Sequence, residues 1–272
     1  MEADMSVLDR IERLRNVMEQ QKIDCYIIPT DDYHHSEYVG DYFKFREYIT
    51  GFTGSAGTAV FTKDKAGLWT DGRYFIQAEA QLQGSGITLY KSGEPGVPTI
   101  EEFLKSELKE GDVLGFDGRT VTYAQGKRYC HIADENGASL QYRLDFAQNI
   151  WKERPEMSLE PVFSLADEYT GEKIGSKLER IREIMKENGC NAHVLSSLDD
   201  IAWLLNIRGN DIAYCPLVLS YAIVYNNSVE LFADIRKFSD DIVNSLAENQ
   251  VKIYPYEDIY HKVSEMTSED KV

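Results

Sequence analysis

The fold is decided by a stretch that occurs twice in the chain: Arg13-Leu-Arg-Asn-Val-Met18 and, much further on, Arg180-Ile-Arg-Glu-Ile-Met185. Three further segments recur behind it in the same order and at nearly the same spacing. They are Cys25-Tyr-Ile-Ile28 with Ala192-His-Val-Leu195, Ala59-Val-Phe61 with Ala222-Ile-Val224, and Leu68-Trp-Thr-Asp71 with Leu231-Phe-Ala-Asp234. Matched segments in one order indicate an internal duplication, so the chain contains two copies of one domain.

Each copy is predicted to be an α/β domain. Apolar residues recur at helical spacing in the first segment, as at Leu8, Ile11 and Leu14, which predicts an amphipathic helix. A short apolar strand follows, and then two apolar runs separated by a tight turn predict a β-hairpin. Helices and strands alternate after the hairpin. This order predicts a mixed β-sheet flanked by helices in each domain.

The two copies differ in length. The first closes with Asn149-Ile-Trp-Lys-Glu-Arg-Pro155, so we expect one domain over residues 6–155 and the second over residues 156–272. Val272 of the second copy corresponds to a position near Val113 of the first, ahead of about two strands and a helix. The second domain is therefore expected to be truncated with an exposed sheet edge, and the native protein to continue beyond Val272.

Charge and composition exclude several classes of function. The formal net charge of −17 repels phosphate backbones and anionic lipids, so neither nucleic acid nor a membrane is an expected partner. No apolar run approaches the roughly 20 residues of a membrane-spanning helix, and the acidic N-terminus is unlike a secretory signal. The scattered cysteines are then expected to be reduced thiols, and the expected location is cytoplasmic.

Two motifs suggest a functional site, but a structural interpretation is favoured for both. The residues of Asp31-Asp-Tyr-His-His-Ser-Glu37 are typical of metal sites, yet side chains on an extended loop would diverge. A solvated loop is the favoured interpretation, and a loop at the rim of a site built elsewhere is the alternative. The glycines of Gly51-Phe-Thr-Gly-Ser-Ala-Gly57 match neither a dinucleotide nor a phosphate loop, and we expect them to allow a tight backbone turn.

The segment Trp69-Thr-Asp-Gly-Arg-Tyr-Phe75 leaves two interpretations open. Asp71 follows a strand and is expected to cap a helix that begins near Gly72. Arg73 either pairs with Asp71 or another carboxylate, or presents its guanidinium to a carboxylate or carbonyl of a bound peptide. The second copy also carries an arginine two residues after the equivalent aspartate, at Arg236.

Several of these runs together resemble the N-terminal domain of Xaa-Pro aminopeptidases, also called aminopeptidase P. The runs are His34-His-Ser-Glu-Tyr38, Ile49-Thr-Gly-Phe-Thr-Gly-Ser-Ala-Gly-Thr58 and Leu68-Trp-Thr-Asp-Gly-Arg-Tyr-Phe75. Two more are similar to the interdomain and second-domain signatures of the long, three-domain form: Asn149-Ile-Trp-Lys-Glu-Arg-Pro155 and Asp199-Asp-Ile-Ala-Trp-Leu-Leu-Asn-Ile-Arg-Gly-Asn-Asp211. The resemblance covers essentially the whole chain from about Ser6 onward.

The resemblance implies two tandem creatinase N-terminal-like domains, each a mixed β-sheet flanked by helices, and a C-terminal pita-bread catalytic domain that these residues lack. The family removes the first residue from peptides with proline in second place, by means of two divalent metal ions, usually manganese. We therefore expect no catalytic residue and no metal ligand in this chain. Arg73 is implied to reach toward the bound peptide from the first domain, and His34 to lie near the same entrance.

On this basis the chain is expected to shape the access of short proline-containing peptides, to take part in a homodimer of the full-length protein, and to be inactive and free of cofactor alone. The alternative is a stand-alone, non-catalytic binding or scaffold protein of creatinase-like fold. The unfinished second copy argues against that alternative, because a natural truncation should end at a domain boundary. A creatinase- or prolidase-type enzyme is disfavoured by the duplication, since those enzymes carry one N-terminal domain.

Overall fold

The computed structural model describes residues 5–267 and 269–272. They divide into two compact units, one ending at Glu156 and the other comprising Met157–Val272. Each unit is built around one principal β-sheet, and the second unit adds a short two-stranded pair.

The principal sheet of the first unit has six strands in the order β4-β3-β2-β1-β5-β6. Its strands are β1 (Cys25–Pro29), β2 (Thr58–Thr62), β3 (Ala66–Thr70), β4 (Thr88–Lys91), β5 (Val113–Phe116) and β6 (Ser139–Gln141). The pairs β1–β2 and β2–β3 are antiparallel, whereas β3–β4, β1–β5 and β5–β6 are parallel. The helices are α1 (Val7–Gln21), α2 (Phe45–Thr50), α3 (Phe75–Gln81), α4 (Ile100–Glu107), α5 (Tyr123–Glu135) and α6 (Ala147–Ile150).

The second unit repeats part of this topology. Its strands are β7 (Phe163–Ser164), β8 (Ala192–Leu195), β9 (Ile207–Arg208), β10 (Tyr221–Tyr225), β11 (Val229–Phe232) and β12 (Val251–Tyr254), and β7 pairs only with β9. The other four strands lie in the order β12-β11-β10-β8, with the same pairing directions as β4-β3-β2-β1. The helices are α7 (Asp167–Thr170), α8 (Ile174–Glu187), α9 (Leu198–Leu204), α10 (Asp240–Glu248) and α11 (Asp258–Ser264). The predicted duplication of a mixed α/β domain is confirmed.

Apolar periodicity explains why these segments form their elements. Helix α1 begins at the capping residue Ser6, and its buried residues Ile11, Leu14 and Met18 recur at helical spacing. Strand β1 is buried on both faces, and its side chains alternate between two apolar clusters, with Tyr26 in one cluster and Ile27 in the other. A central strand covered on both sides accounts for the continuous apolar run in the sequence.

Lys271, near the end of the chain, is hydrogen-bonded to the residue before β8 in the same way as the start of β5 is bonded to the residue before β1. In the first unit, the amide of Asp24 donates to the carbonyl of Val113 over 2.9 Å, and the amide of Val113 donates to the Asp24 carboxylate over 2.8 Å. In the second unit, Asn191 and Lys271 make the same two hydrogen bonds, at 2.9 and 2.8 Å. Lys271 therefore occupies the place that Val113 holds at the start of β5.

Candidate functional site

The turn that follows β3 holds the arginine singled out in the sequence. Arg73 donates from Nε to Oδ1 of Asp71 and from Nη2 to Oδ2, each over 2.9 Å, and its amide donates to Oδ1 over 3.0 Å. The amide of Tyr74 also donates to the carbonyl of Asp71. Helix α3 begins only at Phe75, so the expected helix start near Gly72 is wrong. The reason is that Asp71 caps this turn, and the helix forms after it.

Both interpretations of Arg73 remain compatible with this geometry. The guanidinium pairs with Asp71, yet 63% of the Arg73 side chain is exposed. Hydrogen bonding to Arg73 lowers the pKa of Asp71, and hydrogen bonding to Asp71 raises the pKa of Arg73. The charge of Glu37 also raises the pKa of Arg73, so the loop that contains His34 lies within electrostatic reach of this turn.

The same arginine–aspartate clamp occurs at two other strand ends. Arg119 binds Asp117 after β5, with Nε–Oδ1 and Nη2–Oδ2 distances of 3.0 and 2.8 Å. Arg236 binds Asp234 after β11 in the same way, with an Nε–Oδ1 distance of 2.9 Å. Since the clamp recurs, pairing with an aspartate is a general way to close such a turn. It therefore does not by itself identify a binding site.

The glycine-rich segment packs against this turn. Gly51 ends α2 with a φ of +71°, which fits the predicted turning role of the glycines. Gly54 serves a close approach, because a Cβ there would lie 2.8 Å from Cδ1 of Tyr74 and 2.3 Å from Cζ of Phe52. The hydroxyls of Ser55 and Tyr74 share a hydrogen bond of 2.6 Å. The glycines therefore allow this segment to lie directly on the Tyr74 ring.

A buried arginine that sequence reasoning missed binds the backbone of the glycine-rich segment. Arg46 in α2 donates from Nε to the hydroxyl of Thr30 over 2.8 Å, and from Nη1 and Nη2 to the carbonyls of Phe52 and Gly54. It is 3% exposed, and burial lowers its pKa to about 10, so it stays charged at neutral pH. Within residues 5–267 and 269–272, Arg46 makes no ion pair with a carboxylate. Its partners are backbone carbonyls and one hydroxyl.

The acidic and histidine-rich loop is not the solvated loop that its composition favours. Asp31, Asp32, Tyr33 and His34 are all buried, and His34 is 8% exposed. Oδ1 of Asp32 accepts the amides of His34 and Ser36 at 2.8 and 3.0 Å, which folds the loop back on itself. The expectation of solvation is wrong for residues 31–34, because Asp31 and Asp32 accept hydrogen bonds within the loop, whereas His35 and Glu37 are exposed as expected. His34 accordingly lies below the surface, whereas Arg73 lies on it.

One carboxyl group in this loop has an altered acidity. Burial raises the pKa of Asp31 to about 6, and the contact of its Oδ2 with Nδ1 of His35 opposes that rise. His35 has a φ of +60°, in the left-handed region that is uncommon for residues other than glycine. The loop therefore combines a buried acid, an exposed imidazole and an unusual backbone conformation.

The described residues do not fit a two-metal centre. In residues 5–267 and 269–272, no three side chains of histidine, cysteine, aspartate or glutamate come together in a way that could hold a metal ion. Helices long and apolar enough to cross a membrane are also missing from this part of the chain.

Comparison with protein families gives two matches. Residues 10–141 match one model of the creatinase/prolidase N-terminal domain, and residues 153–272 match a second model with the same description. Between them the two matches cover most of the chain and coincide with its two compact units.

Individual relatives match over nearly the whole chain. A probable Xaa-Pro aminopeptidase P of Sordaria macrospora is 40% identical over 94% of the chain, and Xaa-Pro aminopeptidase 1 of Dictyostelium discoideum is 37% identical over 94%. The chain spans 42% of the length of each. A crystal structure of X-prolyl aminopeptidase from Caenorhabditis elegans, a cytosolic enzyme with a di-nuclear active site, superposes with a TM-score of 0.91 and 35% identity. That match covers 96% of this chain and 44% of the other.

Proposed function

The chain belongs to the creatinase/prolidase N-terminal family, and from this we infer that it forms the N-terminal portion of a metal-dependent Xaa-Pro aminopeptidase. The reaction would be hydrolysis of the first peptide bond in peptides whose second residue is proline. The observation that carries this proposal is the 40% identity to a protein of that name across 94% of the chain. A match of that extent includes both units.

The role of this portion is to shape access to a catalytic centre and to contact the peptide. Arg73 supports this role, because it is exposed at a strand end and can still donate hydrogen bonds while it pairs with Asp71. His34 is assigned to the same region less directly. It is buried in a loop that also contains Glu37, whose charge raises the pKa of Arg73. We assign Arg73 to direct peptide contact and His34 to the support of the entrance.

The metal centre would lie outside these residues. The described side chains offer no group of three ligands, whereas a two-metal hydrolytic site needs several converging carboxylates and imidazoles. Two divalent ions, with manganese as the proposed identity, would therefore be held by another part of the protein. The relative from Caenorhabditis elegans has a di-nuclear active site, and this chain covers 44% of that relative.

The proposal extends to the location and assembly of the whole protein. A cytoplasmic location is supported by the relative of known structure, which is a cytosolic enzyme. Short proline-containing peptides are the proposed partners, and the net charge of −17 disfavours nucleic acid. We also propose that the full-length protein is a homodimer.

Turnover measurements test where the activity lies. The 272-residue chain and the full-length protein that carries it would be assayed side by side on an Xaa-Pro peptide, with added Mn²⁺ and with a chelator. We expect turnover that is lost with the chelator from the full-length protein, and none from the 272-residue chain. Chelator-sensitive turnover by the 272-residue chain would place the catalytic centre within it and contradict the proposal. Absence of turnover by both would favour a binding or scaffold function.

A further inference from the structure

The arginine assigned to peptide contact is fixed by more than its aspartate. The Asp71–Arg73 pair is exposed on both sides, with 43% and 63% of the two side chains accessible, and exposed ion pairs hold a geometry only weakly. The equivalent pair at Arg236 has the same local hydrogen bonds. A precise position for Arg73 therefore requires a second support.

That support is the ring of Tyr74. The guanidinium carbon of Arg73 lies 5.3 Å from the centroid of this ring, within the range of a cation–π contact. The ring also lies close to Gly54, because a Cβ added at that position would lie 2.8 Å from Cδ1 of Tyr74. A larger residue at position 54 would therefore displace the ring, and with it the surface on which the Arg73 guanidinium lies.

Two sets of hydrogen bonds hold the ring and the glycine-rich segment together. The hydroxyl of Tyr74 is fastened to Ser55 at 2.6 Å. Thr53 is tied to α3, because its amide donates to Oε1 of Gln81 over 2.9 Å and its hydroxyl accepts from Nε2 of Gln77 over 2.9 Å. Helix α3 starts directly after Tyr74. The glycine-rich segment is therefore bonded both to Tyr74, through Ser55, and to α3, through Thr53.

The base of this assembly is the buried Arg46. Its guanidinium binds the carbonyls on both sides of Thr53, and its Nε binds Thr30 at the end of β1. Binding groups held on such cross-braced elements keep their position more accurately than groups on free loops. Arg46 therefore holds the glycine-rich segment, and Ser55 of that segment holds the Tyr74 ring. The ring in turn contacts the guanidinium of Arg73.

We propose that Ser55 and Tyr74 are positioning residues that hold the Arg73 guanidinium in place for the peptide. This inference rests on the proposed role of Arg73. Neither residue has to touch the peptide, since the Ser55–Tyr74 hydrogen bond acts through the ring beneath Arg73. The second unit offers no equivalent pair, because Lys237 stands at the place of Tyr74.

Steady-state kinetics of the full-length protein test the inference with Tyr74→Phe, Ser55→Ala, their combination, Arg73→Ala and the control Tyr123→Phe. Tyr123 is 81% exposed and lies outside this region. We expect KM for an Xaa-Pro peptide to rise about threefold to tenfold in Tyr74→Phe and in Ser55→Ala, with kcat nearly unchanged, as for the loss of one hydrogen bond, and to stay at the parent value in Tyr123→Phe. The combined variant should be no worse than the poorer single variant, because both remove the same bond.

A second measurement in the 272-residue chain separates positioning from stability. The Nε–H signal of Arg73 in a ¹⁵N spectrum should be sharp in the parent chain and broadened or shifted in Tyr74→Phe, while it stays unchanged in Tyr123→Phe. An unchanged KM and an unchanged signal in Tyr74→Phe, with Arg73→Ala still impaired, would overturn this inference alone. If Arg73→Ala itself leaves kcat/KM unchanged, the proposed role of Arg73 fails as well.

Discussion

The turns after β3 and β11 contain the same arginine–aspartate pair but differ in the contact that the next residue makes. Each carries an aspartate that binds the arginine two residues later. In the first unit the next residue, Tyr74, shares a neutral hydrogen bond with Ser55. In the second unit the next residue, Lys237, is buried and forms an ion pair with the buried Asp211. Duplicated backbones have thus acquired a half-buried hydroxyl pair in one copy and a desolvated charge pair in the other.

The difference shows that burial determines how much stability is lost when one partner of such a contact is removed. Lys237 and Asp211 have side chains 2% and 0% exposed, so neither charge has access to water if the other is removed. Asp211 also accepts the amide of Leu219 over 2.7 Å, which anchors the loop ahead of β10. The hydroxyl pair of the first unit carries no such penalty. The Arg73 that it supports stays exposed and can still bind a ligand.

The largest expected effect is the loss of the buried pair in the second unit. Lys237→Met should lower the free energy of unfolding by about 3–5 kcal/mol, because Asp211 would remain buried without its partner. Urea unfolding at neutral pH, followed by circular dichroism, measures this change.

The matched control is the combination of Lys237→Met with Asp211→Asn, which removes both charges. We expect it to recover part of the lost stability, because no buried charge is left unpaired. A single variant that costs less than about 1 kcal/mol would contradict the burial argument, since exposed pairs have values of that size.

A second buried acid, Asp31 in the first unit, is expected to make the stability of the chain depend on pH. The pKa of Asp31 is raised to about 6 from 3.8, so its contribution to stability is fully present below the unfolded pKa and is lost as pH rises through 6. Relative to Asp31→Asn, the parent chain should therefore gain stability as pH falls from 7.5 to 4.5, by about 2 kcal/mol.

Urea unfolding of the parent and of Asp31→Asn at several pH values checks this sign. A parent chain that loses stability relative to Asp31→Asn on acidification would show that the carboxylate form of Asp31 is favoured by folding, contrary to the raised pKa.

The hydroxyl pair should cost much less to remove than the buried ion pair. Tyr74→Phe is expected to lower the free energy of unfolding by about 0.5–1.5 kcal/mol, the usual net value of one hydrogen bond. The same urea experiment gives this value beside that of Lys237→Met. Equal losses of unfolding free energy in Tyr74→Phe and Lys237→Met would contradict the claim that the buried ion pair contributes more than the hydroxyl pair.

The smallest effects belong to the clamps that the two units share. Asp71→Asn and Asp234→Asn should each change the free energy of unfolding by about 0.2–1 kcal/mol, since the arginine of each pair is largely exposed to solvent. The two changes should agree with each other and shrink at high salt. Thermal melts at low and high ionic strength measure both, and a large effect at only one position would show that the clamps are not equivalent.

The sheet and its duplication were accessible from sequence, whereas the supports of the site were not. Apolar periodicity identified α1 and β1, and the Thr99–Glu102 capping box marks the start of α4, because these signals are local. The burial of Tyr33 depends on Arg119, whose guanidinium lies 4.2 Å from its ring although the two residues are far apart in the chain.

Arg46 illustrates the same limit more sharply. It looks like an ordinary surface arginine in a short helix, and only the folded chain shows its guanidinium beneath Phe52 and Gly54. Arg73 was found from sequence because its motif resembles a known family. Its partner Asp71 was found because it is two residues away, and Tyr74 was missed because its role depends on contact with Ser55.

Comparison of Arg73 with its counterpart in the second unit tests the proposed function most directly. The measurement is kcat/KM of the full-length protein on an Xaa-Pro peptide, for Arg73→Ala and for the matched variant Arg236→Ala, which removes the same clamp elsewhere. We expect kcat/KM to fall by about tenfold or more in Arg73→Ala and to stay within about twofold of the parent in Arg236→Ala. Equal values for the two variants would contradict a peptide contact at Arg73.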